Sequence, residues 1–144
     1  MRVSLVYIPA GDARAIASMA KAMARAFEAK GHEVEVLEGA RGVSPRFSAA
    51  DYLVLGVEGL GFRGKLPPRL AELLAQSGGM TGKRGMAFVR KRGFFSQKTL
   101  ALLMKSMEAQ GMNVNYGELL ASTAEAEVAG RAAPVERPER PISS

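Results

Sequence analysis

Cations and aromatic rings recur at three places in this chain, each directly after an apolar run. Arg14 follows the turn Pro9-Ala10-Gly11-Asp12-Ala13. Phe62, Arg63 and Lys65 stand among Gly59, Gly61 and Gly64. Arg90, Lys91 and Arg92 precede Phe94 and Phe95. The first place is a turn leading into a helix, whose leading N–H groups lack intrahelical partners and attract an anion. Arginine forks onto phosphate or carboxylate, and glycine lets backbone approach a flat ligand closely. The chemistry these residues suit is recognition of an anion, a planar ligand or an acidic surface.

Bond-making chemistry is poorly provided for. The chain has no cysteine, which excludes disulfides, thiolate metal sites and thiol catalysis. His32 is the single histidine, so a zinc site or a Ser-His-Asp triad lacks its parts. No residue stands out as a general base or nucleophile, and no catalytic residue is named. His32 follows a helix stop and reads as a surface residue at the end of the sheet away from the cations. Met19, Met23, Met104 and Met107 fall at helical spacing and read as core filler.

The elements that must position the three places follow from periodicity. Val3, Leu5, Val6, Tyr7 and Ile8 form a nearly continuous apolar run, the pattern of a strand covered on both faces. Asp12 is the expected N-cap of a helix carrying Ile16, Met19, Met23 and Phe27 on one face, with Gly31 as its stop. Residues 32–38 alternate, as an edge strand does. Residues 39–50 form a broken connection, residues 52–57 a third buried strand, and Pro67-Pro68 open a second helix. Residues 84–89, 96–110, 112–120 and 123–133 predict strand, helix, strand and helix, and residues 134–144 a mobile, proline-rich tail. Strands alternating with helices predict one domain over 1–133 built on a mainly parallel sheet. Ligands of such sheets gather beyond the carboxyl ends of the strands, where the three loops meet.

The net charge of +6 favours acidic partners or anionic ligands. No apolar run approaches the roughly 18 residues of a membrane span. The first residues lack a secretory leader's apolar region, so no membrane association and a cytoplasmic location are expected. Nucleic-acid binding is allowed by charge, but no recognised motif supports it. Oligomeric state is not legible.

The stretches VSLVYIPAGDARAIASMAKAMARAF, DYLVLGVEGLGFRGKLPPRLAELL and KRGMAFVRKRGFFSQKTLALLMKSMEAQGMNV together resemble the flavodoxin-like family over about residues 1–133. The resemblance implies a three-layer α/β/α sandwich with a five-stranded parallel sheet in the order 2-1-3-4-5. It also implies FMN at the end of the first strand and a role in electron transfer as a flavoprotein oxidoreductase. On that alignment Pro9, Ala10, Gly11, Asp12, Ala13 and Arg14 lie at the phosphate. Gly59, Gly61, Phe62, Arg63, Arg90, Phe94 and Phe95 lie around the flavin ring. The family's loop pattern, Ser/Thr-x-Thr-Gly-x-Thr, has hydroxyls where this chain has Ile8, Ala10 and Ala13. Each hydrogen bond to a charged group is worth about 1.5–3 kcal/mol. Arginines could stand in for them.

Two functions therefore stay open: an FMN redox protein whose cations call for an acidic partner, and a module of the same fold that has lost FMN and binds another anion or an acidic protein. The plain alternatives are that Phe62 and one of Phe94 and Phe95 pack beneath the loops, and that the cations form a solvated rim.

Overall fold

The computed structural model describes residues 1–39 and 47–136. Strands β1 (Arg2–Ile8), β2 (Glu33–Glu38), β3 (Tyr52–Val57), β4 (Arg84–Arg90) and β5 (Asn113–Leu120) pair in parallel in the order β2-β1-β3-β4-β5. Helices α1 (Arg14–Ala29) and α4 (Thr123–Ala132) cover one face of the sheet. Helices α2 (Pro68–Gln76) and α3 (Ser96–Glu108) cover the other. Layers and strand order are those the resemblance implied.

Burial follows position in the sheet. All residues of β3 are buried, because β3 is central and both its faces carry helices. In β2, at the edge, Val34 and Val36 are half-buried between exposed glutamates. The α1/α4 face packs Leu5, Val54 and Phe88 against Ile16, Met23, Phe27 and Ala129; the other face packs Val6, Leu55 and Val89 against Leu73 and Leu103. Phe88 lies across its register partner Gly56, where any Cβ would fall inside the ring. Gly130 brings α4 against α1, since a Cβ there would stand 2.7 Å from that of Ala26. Between Gly85 and Met86 the register with β5 shifts, and the extra residue, Asn115, accepts a 2.7 Å hydrogen bond from the buried Tyr52 hydroxyl.

Three expectations are corrected. The N-cap of α1 is Ala13, not Asp12; the Asp12 carboxylate instead accepts the Arg14 N–H at 3.0 Å and the Arg14 guanidinium. The packed chain runs past residue 133, because Asn115 donates to Pro134 O and Val135 is 1% exposed in the core. The rest of the expected tail, 137–144, lies outside the described residues, as do 40–46 of the connection after β2. His32 is buried, not on the surface. Gly31, at φ +91°, ends α1, and the N–H of His32 turns back to Phe27 O, which carries the imidazole inward.

At that end of the sheet, burial first, then the Met1 amino group and Lys30, hold the His32 pKa below its ordinary value, while Glu136 opposes them. A lowered folded-state pKa favours the neutral ring, so its contribution to stability is complete above the unfolded value, about 6.5, and is lost as pH falls. Urea midpoints are expected to drop between pH 7.5 and 5.5, with a flatter dependence in His32→Gln. Parallel curves for the two proteins would contradict this.

Candidate functional site

The loops after β1, β3 and β4 meet at the carboxyl end of the sheet, and one side chain joins them. Glu58, directly after β3, is 1% exposed. Its Oε1 accepts the Ala10 N–H at 2.9 Å, and its Oε2 accepts the Arg90 Nε–H from the end of β4. Arg92 Nη1 stands 4.0 Å from Oε1. The Glu58 N–H donates to Ile8 O at 3.2 Å, so both backbone and side chain clamp the first loop to the second. A carboxylate taken out of water needs this company, because an unpaired buried charge costs several kcal/mol.

The second loop turns as a short hairpin, with Leu60 and Lys65 exchanging N–H···O bonds at 2.7 and 3.0 Å. Gly61 and Gly64 supply its positive φ values, +65° and +66°. Gly59 and Gly64 were expected to admit a flat ligand, but the protein uses that space itself. A Cβ on either would run into Thr99 Oγ1, which lies 2.6 Å from Gly64 O and 3.0 Å from Phe95 O. Ser96 closes the third loop, accepting the Arg92 N–H at 2.7 Å and donating to Arg92 O at 2.8 Å.

Phe62 and Phe94 do not pack beneath the loops. Phe62 is 81% exposed and Phe94 is 93% exposed. Phe95 is half-buried and meets the edge of Phe62 at a centroid distance of 5.7 Å, with Lys98 Nζ 6.0 Å from its ring centre. The structure thus joins Ala10 to Arg90 through Glu58, and Phe62 to Phe95. Phe94 has no ring partner among the described residues. Arg14 folds back onto Asp12, Nη2 to Oδ2 at 2.6 Å. That fork holds the Asp12 carboxyl below its usual range and raises the guanidinium. Arg63, Lys65 and Lys91 are exposed and have no ion-pair partner among the described residues.

Glu58 and Thr99 went unnoticed in the sequence. A glutamate ending a buried apolar strand, followed by glycines, was the available signal for the first. Nothing in spacing marked the second.

The first loop lacks the side-chain hydroxyls that the resemblance places around an FMN phosphate. Pro9 has no N–H, the Ala10 N–H is taken and Ile8 faces the core, which leaves the Gly11, Asp12 and Ala13 amides as the donors of that turn among the described residues. The Ala10 amide is held by the Glu58 carboxylate, whose charge Arg90 and Arg92 offset. Among the described residues no cluster of His, Asp or Glu could hold a metal ion, and no helix is long and apolar enough to cross a membrane.

Strand order and layers define a flavodoxin-like α/β/α fold. An archaeal flavodoxin superposes with a TM-score of 0.68 at 19% identity, over 91% of this chain and 94% of that one. Oxidised flavodoxin 1 from Bacillus cereus gives 0.67 at 17% identity, over 90% and 95%. Two-electron reduced flavodoxin from Megasphaera elsdenii gives 0.65 at 18%, over 91% and 99%. No protein-family model matches the chain, and no curated protein matches it by sequence. Identities this low establish the fold alone.

The Glu58–Arg90 pair is asymmetric, since the arginine side chain is 27% exposed and the glutamate 1%. Arg90→Ala strands a buried carboxylate and is expected to cost about 3 kcal/mol in urea unfolding. Glu58→Gln, which leaves an arginine able to reach water, costs less, and the double variant is more stable than Arg90→Ala. Equal losses for the two single variants would contradict the burial argument.

Proposed function

We propose that this chain is a flavodoxin-fold binding module that recognises an acidic protein surface through the rim of its loops and does not hold FMN by the phosphate. One observation carries the reading: Arg63, Lys65 and Lys91 lack acidic partners among the described residues, in the two loops that expose Phe62 and Phe94. Large rings in water flanked by unmatched cations have the composition of an interaction surface. Such a charge field speeds encounter with acidic partners and disfavours basic ones.

The second reading is an FMN-linked redox protein. The flavodoxin fold supports it, as does the edge contact of Phe62 with Phe95 at the end of the sheet where that fold carries its ligand. When bound, FMN would supply the electron-transfer chemistry. The missing hydroxyls and the Glu58 carboxylate weigh against it.

Two titrations separate the readings. A fluorescent polyglutamate peptide is expected to bind saturably at low salt, to weaken as salt rises, and to lose binding to the Arg63→Glu/Lys91→Glu variant. FMN fluorescence is expected to show no saturable quenching at about 10 μM protein. Saturable FMN quenching would install the second reading. Unchanged peptide binding by the charge-reversed variant, or tighter binding of a single-stranded oligonucleotide, would remove the acidic-protein reading.

A further inference from the structure

We infer that the Ala10 N–H, Arg90 and Arg92 form an oxyanion receptor that the chain fills with its own Glu58 carboxylate. The arrangement has the parts of a ligand complex. One carboxylate oxygen takes a loop amide at 2.9 Å, the other takes the Arg90 guanidinium, and Arg92 stands 4.0 Å behind. The anion is sequestered, at 1% exposure, while the Arg90 side chain keeps a path to solvent. The next three amides of the same loop, those of Gly11, Asp12 and Ala13, donate no hydrogen bond among the described residues, so further donors lie beside the occupied one. Backbone N–H groups at a helix approach together with arginine are the donors that small carboxylates and phosphate monoesters use.

Burial decides the competition. An external anion would have to displace a carboxylate that the fold holds 1% exposed, and the displaced Glu58 would be left buried without its partners. In the native chain the receptor is therefore closed to phosphate. It opens when the internal anion is removed and space is left in its place. This inference does not depend on the partner-binding rim, because Arg63, Lys65 and Lys91 take no part in it.

Chemical rescue tests it. Thermal unfolding of the native chain, Glu58→Ala and Glu58→Gln is followed at fixed ionic strength with formate, acetate or inorganic phosphate added. The alanine variant is expected to gain a saturable rise in Tm, with an apparent affinity for formate or phosphate about tenfold or more tighter than either other protein, since a ligand bound only to the folded state stabilises it. The glutamine variant, which refills the space with a neutral amide, is expected to resemble the native chain. Adding Arg90→Ala to Glu58→Ala is expected to abolish the rescue. If Glu58→Ala is unfolded in plain buffer, recovery of its helical circular dichroism on adding formate is the same readout. Identical responses in the native and alanine proteins, or no recovery of an unfolded variant, would overturn the inference.

Discussion

The buried carboxylate of Glu58 requires hydrogen-bond donors and positive charge, and the loop end of the sheet is organised to provide them. Parallel strands deliver their carboxyl ends to one edge, but nothing in the ladder itself holds the loops that follow. In this chain the Ala10 amide and the Arg90 guanidinium converge on one anion, which fixes the ends of β1, β3 and β4 together. Because that anion is almost without solvent, each contact is stronger than on an open surface, and losing one partner exposes the other to a desolvation cost. The first loop therefore needs no external ligand to be held.

Holding the loops internally changes what the rim is free to do. The second and third loops are fastened from beneath by Thr99 and Ser96, so Phe62 and Phe94 project outward without collapsing onto the core. Arg14 is neutralised by Asp12, whereas among the described residues Arg63, Lys65 and Lys91 have no ion-pair partner. Charge near the strand ends is thus divided into a paired inner set and an unpaired outer set. A ligand phosphate at the first loop would compete with the inner set; an acidic protein surface would meet the outer one.

Much of the fold was legible because burial writes itself into periodicity. The apolar run of residues 3–8, the alternation at Val34 and Val36, and the three- and four-residue spacing from Ile16 to Phe27 each correspond to an element with the expected faces. Gly31 ends α1 at the positive φ its type allows. Less legible were features that depend on which side chain reaches across space. His32 reads as surface by type, yet the turn at Gly31 carries it inward. Val135 sits among prolines, yet it packs in the core after Asn115 fixes Pro134. At the site, the loops and their cations were visible, but residue type alone does not say that Gly59 and Gly64 make room for Thr99. Nor does it say that the anion held by the first loop belongs to the protein.

That last claim rests on the Ala10 N–H having a partner within the chain. Amide hydrogen exchange of the native protein, resolved at Ala10 by NMR, tests it most directly. The account predicts a protected Ala10 amide in ligand-free buffer, with protection lost in Glu58→Ala while core amides of β3 keep theirs. An Ala10 amide exchanging at the unprotected rate in the native chain would contradict it.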